Sequence, residues 1–231
     1  MLLRDLSFPS PRENILFDDV LFSLADKGGD IEYLRFWESP RYFVVLGRIG
    51  REEDDVNAGQ AGKDGIDILR RSSGGGTVVQ GPGCLNYAFV LNKDKRTHLN
   101  DLRASYEWIS THIIASLAGQ GIKAGFRPIS DIAVIEGDKK FSGNAQRRGK
   151  THILHHGTIL IDFDLDLIST YLQMPKDVPE YRKMRGHKDF VTNIPIDREI
   201  FKKELALRFG IDDFTQAVSP EESSALKKLL K

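Results

Sequence analysis

Residues 70–86 read Arg-Arg-Ser-Ser-Gly-Gly-Gly-Thr-Val-Val-Gln-Gly-Pro-Gly-Cys-Leu-Asn. Three consecutive glycines, Gly74 to Gly76, stand between Arg70-Arg71 and the β-branched run Thr77-Val78-Val79. Glycine adopts positive φ without a Cβ penalty and lets a ligand approach the main chain closely. The bare N–H groups of such a loop can form an anion-binding concavity, and flanking guanidinium groups add fixed positive charge. The segment reads as a loop shaped around a phosphate. A glycine-rich hairpin turn with solvated arginines is the plainer alternative. The spacing excludes the two commonest phosphate loops, G-x-x-x-x-G-K-[ST] and a G-x-G-x-x-G that opens a helix. Thr77 to Val79 favour a strand instead.

The flanks of this loop have their own periodicities. Ile66 to Leu69 runs into it, and Leu85 to Leu91 follows as a continuous apolar stretch. Further upstream, Ile15, Leu16, Val20, Leu21 and Leu24 recur at helical spacing between Pro11 and the Gly28-Gly29 stop. Ile31 to Trp37 and Tyr42 to Leu46 read as strands, and the charged, glycine-punctuated residues 49–65 as a loop with a short helix. Downstream, Leu102, Tyr106, Ile109, Ile113, Ile114 and Leu117 mark one long amphipathic helix ended by Gly119 and Gly121. Strand-like runs cover 132–136, 140–146 and 153–162. Helical pieces follow near 165–172, 199–209 and 220–230, with a proline- and charge-rich loop over 174–189. Many of the central strands are joined by segments too short for parallel crossovers. The fold class is therefore α/β, with a mixed, largely antiparallel central sheet flanked by helices.

The chain has 231 residues, enough for one large domain with a substantial core. Lys+Arg and Asp+Glu each total 33, so no global charge points to nucleic acid. The single cysteine, Cys84, cannot form an internal disulfide, which suits a reducing cytoplasm. The N-terminus lacks the apolar region of a signal peptide, and no stretch approaches the ~20 apolar residues of a membrane span. A soluble cytoplasmic protein is expected.

A second segment, residues 138–158, reads Asp-Lys-Lys-Phe-Ser-Gly-Asn-Ala-Gln-Arg-Arg-Gly-Lys-Thr-His-Ile-Leu-His-His-Gly-Thr. With it the chain resembles the lipoate–protein ligase family, part of the wider biotin and lipoate ligase group. The hallmarks are an R-R-x-S-G-G-G-x-V loop, a K-x-S-G-x-A segment and an H-G-T strand. Arg70, Arg71, Ser73, Gly74–Gly76 and Val78 match the first; Lys140, Ser142, Gly143 and Ala145 the second; His156, Gly157 and Thr158 the third. The resemblance runs from Asn14 to Asn193. It implies the biotin/lipoate ligase catalytic-domain fold over a single domain, 1–231. The stretch after Pro195 is too short for the full accessory domain that such ligases often carry.

The resemblance also distributes roles. Activating a carboxylic acid with ATP brings carboxylate and phosphate oxygens together, and an ammonium between them stabilises the charge that develops. Lys140 is implied to be that group, touching both lipoate and ATP, while Lys139 faces the other side of the strand. ATP binding is implied for Arg71, Gly76, Thr77, Val78 and Val79. Lipoate binding is implied for Arg70, Ser73, Gly74 and Gly75 at the entrance, for Trp37 along the acyl chain, and for Gly143, Ala145, His156, Gly157 and Thr158. Asp19, Gln80, Asn86 and Asp131 are secondary candidates. Gln80 departs from the histidine common in the family, so it hydrogen-bonds there but does not titrate. Metal ligands are not assigned, and a metal role for His155 and His156 is disfavoured because adjacent strand side chains diverge.

The reaction so implied has two steps. Lipoate and ATP, with Mg2+, form lipoyl-adenylate, and a carrier lysine then takes the lipoyl group. The carrier would be a dehydrogenase-complex acyltransferase subunit, a glycine-cleavage H protein or an H-like protein, and the enzyme a monomer. The alternatives are an ATP-independent octanoyl or lipoyl transferase and a non-catalytic lipoate-binding protein; Cys84 is the one thiol available to a transferase, but it lies outside the position such transferases use and reads as a buried small side chain. The basic run Tyr181 to Lys188 reads as a solvated loop, as a docking surface for an acidic carrier, or as a flap over the adenylate.

Overall fold

The computed structural model describes residues 1–175, 178–212 and 217–231. Its strands are β1 (Leu2–Asp5), β2 (Tyr33–Trp37), β3 (Phe43–Leu46), β4 (Asp67–Arg70), β5 (Val78–Gln80), β6 (Cys84–Asn92), β7 (Ala124–Arg127), β8 (Asp131–Val134), β9 (Lys140–Arg148) and β10 (His152–Leu160). The helices are α1 (Pro11–Ala25), α2 (Glu52–Asp55), α3 (Ala58–Lys63), α4 (Leu102–Ala118), α5 (Asp166–Tyr171), α6 (His187–Phe190), α7 (Arg198–Arg208) and α8 (Pro220–Leu230). None of the described helices is long and apolar enough to cross a membrane.

Seven strands form one sheet in the order β1-β2-β6-β10-β9-β8-β7, in which β1 and β2 run parallel and the other neighbours antiparallel. The remaining three form a small second sheet, β4-β3-β5, with β3 parallel to β4 and antiparallel to β5. The mixed, largely antiparallel sheet flanked by helices is thus present, but divided in two. Two edge strands escape a reading by pattern. β1 is only four residues long and its Leu-Leu-Arg-Asp does not alternate, and in β7 the sequence Ala-Gly-Phe-Arg lacks β-branched residues. Part of the loop expected over 174–189, residues 176–177, lies outside the described residues.

The large sheet separates two environments. Leu34, Phe36, Leu85, Phe89, Ile153 and Phe141 project from one face into a core closed by Ile109, Ile113 and Leu117 of α4 and by Phe201 and Leu205 of α7. On the other face Tyr33, Ala88, Val90 and Leu154 meet Phe17, Val20 and Leu21 of α1. Proline at the first position of α1 suits a helix start, where its missing N–H has no intrahelical partner. Beyond α1 that same face meets the small sheet. There Trp37 of β2 meets Ile15 of α1 and Phe43 and Val45 of the small sheet. The gap between the two sheets is the functional candidate.

The candidate active site

A cleft of ≈ 1280 Å³ opens between the sheets. A bulge decides which side chains of β9 enter it. Ile132 of β8 pairs with Ser142, yet the next residue, Ala133, pairs with Lys140, so Phe141 is an extra residue in β9. Strict alternation would put Lys140 on the face opposite Gly143 and Ala145, whereas the inserted residue returns it to theirs. A Cβ on Gly143 would lie 2.9 Å from Lys140 Nζ, so the ammonium rests directly over this glycine. Lys139 is exposed.

Lys140 Nζ is 2.8 Å from Asp131 Oδ1, and the Tyr181 hydroxyl donates to Asp131 Oδ2 at 2.6 Å. Burial, reinforced by the Asp131 charge, pushes the Tyr181 phenol well above its ordinary value, so it remains a donor. One carboxylate thereby joins Lys140 to the segment before α6.

The glycine loop is organised from within. Arg71 is buried, and its Nε donates to Ser73 Oγ (3.0 Å) while Nη2 donates to the Gly74 and Gly76 carbonyls (2.6 and 2.8 Å). Burial lowers its pKa to about 10. Gly75 sits at φ 83°, the left-handed region that favours glycine. With carbonyls drawn to Arg71, the loop keeps its shape before any ligand arrives. Arg70 is also structural, donating through Nη1 to the Gly47 and Gly50 carbonyls at 2.8 and 2.7 Å. Thr77 Oγ1 donates to Asp55 Oδ2 at 2.6 Å.

His156 faces the cleft and connects the loop to α1. Its Nε2 lies 2.6 Å from Ser73 Oγ and its Nδ1 3.5 Å from Asp18 Oδ2, and Asp18 Oδ1 accepts from Arg35 Nη1 at 2.6 Å. Burial by itself would raise the Asp18 pKa, but Arg35 and His156 together outweigh it and the carboxyl stays below its usual range. His155 points to the opposite face. Burial, with His156 adding to it, drops its pKa to about 3. The neutral ring fits a tautomer in which Gln146 Nε2 donates to Nδ1 (3.0 Å) and Nε2–H donates to Asn144 Oδ1 (3.1 Å). Asn144 also accepts from the Tyr87 hydroxyl and donates to the Ser130 carbonyl. A Cβ on Gly157 would overlap Asn144 Oδ1 and come within 2.5 Å of the Tyr87 hydroxyl, which is why the H-G-T strand has glycine here.

Of the residues singled out from sequence, Lys140, Arg71, Gly75, Gly76, Thr77, Val78, Val79, Trp37, Gly143, Ala145, His156, Gly157 and Thr158 border the cleft, as do Gln80, Asn86 and Asp131. Arg70, Ser73, Gly74 and Asp19 do not; they brace the wall behind it. Asp19 accepts from Ser72 and pairs with Arg147 at 3.1 Å, and burial raises its pKa. The sequence reading passed over Asp18, Arg35, Tyr87, Asn144 and Tyr181. Asn144 stood inside the second quoted segment and Asp18 beside the candidate Asp19, but His155 and Tyr87 lie 11 and 57 positions from Asn144, and Arg35 and His156 lie 17 and 138 from Asp18.

One expectation needs correction, and the reading of Cys84 as a buried small side chain holds. Arg182 is not a solvent-facing steering charge: it is buried, its guanidinium stacks 4.7 Å from the Phe190 ring centroid, and Nε donates to the Arg185 carbonyl. Arg185 in turn donates to the Gly137, Asp138 and Tyr181 carbonyls, and Lys188 pairs with Asp166 at 2.7 Å. Cys84 is buried, and burial pushes its thiol up to about 12, so it presents no thiolate. Among the described residues no group of three or more His, Cys, Asp or Glu side chains is arranged to hold a metal ion.

The chain is similar to a curated probable lipoate-protein ligase A of Mycoplasma pneumoniae, 28% identical over 219 residues that cover 93% of this chain and 62% of that one. It spans between 42% and 58% of the length of three further curated relatives. Among solved structures it resembles a chain of an archaeal lipoylation system, described as a bipartite lipoate protein ligase and its E2 lipoyl domain from Thermoplasma acidophilum. The TM-score is 0.85 at 25% identity, covering 98% of this chain and 90% of that one. A lipoate-protein ligase A bound with ATP shares the fold at TM-score 0.83 and 24% identity, covering 98% and 92%. With residues 10–220 matching its pattern, this chain belongs to the lipoyl protein ligase A/B catalytic-domain family.

Proposed function

We propose that the chain activates lipoate with ATP as lipoyl-adenylate and passes the lipoyl group to a lysine of a lipoyl carrier domain. The observation that carries this reading is the position of Lys140. Its ammonium stands over Gly143 and borders the cleft that the loop of Gly75–Val79 and Trp37 also line.

In the first step a lipoate carboxylate oxygen attacks the α-phosphorus of ATP and pyrophosphate leaves. Lys140 offsets the repulsion between the two anions and stabilises charge growing on the phosphoryl oxygens. For this it must exchange its Asp131 contact for the substrates. The Gly76–Val79 backbone lines the phosphate side, and Arg71 acts by holding that backbone, not by touching phosphate. In the second step the carrier amine attacks the acyl carbon and AMP leaves. A closed cleft accelerates this step by orientation and by keeping water from the anhydride. Magnesium is assigned no protein ligands, since among the described residues no group of three or more His, Cys, Asp or Glu side chains is arranged to hold one. A lipoyl domain of the E2 type is the preferred carrier, by analogy with the archaeal ligase.

The thioester-forming transferase is the weaker reading, because Cys84 is buried with its thiol fully protonated. One incubation decides between them. Protein, lipoate, ATP, Mg2+ and a lipoyl domain should give pyrophosphate and a carrier heavier by one lipoyl group. Acyl transfer from an octanoyl carrier without ATP would overturn the ligase reading.

A further inference from the structure

Lys183 and its neighbour Met184 both occupy the left-handed region, at φ 51° and 59°. Such a conformation is uncommon outside glycine, and it persists only where the surroundings fix the backbone. Here it is fixed from both sides. The Lys183 N–H donates to the Glu180 carbonyl, and the Arg185 N–H to the Arg182 carbonyl. Arg185 Nη1 and Nη2 donate across to the Gly137 and Asp138 carbonyls at 2.8 and 2.9 Å, and the Tyr181 hydroxyl holds Asp131. The turn is a braced tip from which Lys183 and Met184 project, both exposed.

Lys183 also borders the cleft. Its ammonium makes no hydrogen bond or ion pair among the described residues. Asp138, which feels the Lys183 charge, is paired with Arg127 at 2.5 Å instead. Among the described residues the cleft is lined by one other lysine, Lys140, and Asp131 engages that one. The two lysines are connected through this carboxylate: Lys140 pairs with Oδ1, and Tyr181, two residues before Lys183, donates to Oδ2. A flexible four-carbon stem lets the Lys183 nitrogen swing from solvent into the cleft.

We propose that Lys183 is a self-acylation site: when no carrier is present, its amine takes the acyl group of the adenylate formed in its own cleft. The inference rests on the acyl-activating reading of that cleft. The neutral Lys183 nitrogen attacks the acyl carbon and the bond from that carbon to the phosphate oxygen breaks. AMP leaves with the electron pair, and the surplus amine proton passes to water. The product is an amide, which is stable, so each chain is modified once. Lys140 does not compete, because it faces an anion throughout, first Asp131 and then the substrates. Exposed lysines elsewhere, Lys139 among them, meet only adenylate that has escaped into solution, where proximity gives them no advantage.

The test incubates the intact chain with lipoate, ATP and Mg2+ without a carrier, and reads pyrophosphate, intact mass and lysine-resolved peptide mass. The wild type should gain one lipoyl group, with Lys183 labelled at least ~10-fold above any other lysine, the advantage of a tethered nucleophile. The labelled fraction should not depend on protein concentration, and an unrelated protein in the same tube should stay unmodified. Lys183→Arg keeps the charge but removes the nucleophile. It should release pyrophosphate in the presence of a lipoyl domain as the wild type does, yet gain no lipoyl group without one. Label spread evenly over exposed lysines, a labelled fraction that rises with protein concentration, equal label on Lys183→Arg, or wild-type pyrophosphate release without label overturns the inference. Absence of pyrophosphate refutes the ligase reading instead. Synthetic lipoyl-adenylate then replaces lipoate and ATP, and a Lys183 no more labelled than other lysines overturns the inference as well.

Discussion

The two faces of the large sheet are built from the same strands but treat polar groups in opposite ways. Under α4 and α7, Tyr87, Ser142, Asn144, His155 and Gln146 are joined in one hydrogen-bonded network among Phe89, Phe141 and Ile153, and Tyr87, Ser142 and Asn144 reach through to border the cleft. On the cleft side, one residue along each strand, Trp37 Nε1 has no hydrogen-bond partner among the described residues, and Lys140 is held by a carboxylate, Asp131, that it can leave. A closed polar network adds rigidity, because each member stays satisfied only in one arrangement. An open one keeps its hydrogen-bonding capacity for a ligand. The lesson is that the satisfied face holds the unsatisfied face in geometry: Asn144 and Tyr87 press on Gly157, the neighbour of His156, and His156 reaches the glycine loop through Ser73.

The contrast makes ordered predictions. The largest effect belongs to the cleft face. Lys140→Ala should lower pyrophosphate release at least ~100-fold, the scale on which a preorganised transition-state donor acts, with an unchanged melting temperature. A variant that still adenylates at near wild-type rate would separate Lys140 from the chemistry.

Gly157→Ala tests the closed face. Its Cβ has no room against Asn144 and Tyr87, so chemical denaturation should show a loss of ~2–3 kcal/mol. A neutral result would mean that the network can shift aside, and that the rigidity argued for it is absent.

A smaller, pH-dependent effect follows from His155. Its folded-state pKa of about 3 lies below the ordinary 6.5, so the unfolded chain binds the extra proton as pH falls between those values. Stability is full above the unfolded value and declines below it, by up to ~1.4 kcal/mol per pH unit for one proton. Asp18 and Asp26, whose pKa values are lowered, add to the slope as they protonate. Denaturant midpoints from pH 7 to 4 should therefore fall less steeply for His155→Gln than for wild type, by about one proton. Parallel slopes would show that His155 takes up its proton in the folded state.

The smallest effect is expected at Cys84. Cys84→Ala should keep ligase activity within ~3-fold and cost ~1 kcal/mol of stability, as expected for a small buried side chain. Mass spectrometry of wild type after exposure to an acyl donor should show no thioester. Loss of activity with a trapped thioester would exchange the roles argued for Lys140 and Cys84.

Much of this contrast is legible in residue order. Strand alternation alone separates His156 from His155, and apolar runs locate β6, β9, β10 and the helices α1 and α4 to within a few residues. Local pattern suffices there because each element's buried face is repeated many times along the segment. It fails where one residue changes the count. The bulge at Phe141 carries Lys140 to the face of Gly143, a placement that motif resemblance implied and alternation denied.

Composition and spacing were enough for an α/β chain with a glycine-rich loop, since backbone conformational cost and hydrophobic period act between neighbours, whereas Lys140 was singled out by the motif resemblance. Which arginine serves the loop from inside, why Gly157 admits no side chain, and which polar atoms remain unpaired depend on partners distant in sequence. Arg71 reaches Val45, Asp18 reaches His156, and Trp37 faces the small sheet only after two sheets have packed together. Burial and hydrogen-bond satisfaction are properties of the assembled fold. The chain order names the groups, and packing decides which of them water, protein or substrate will satisfy.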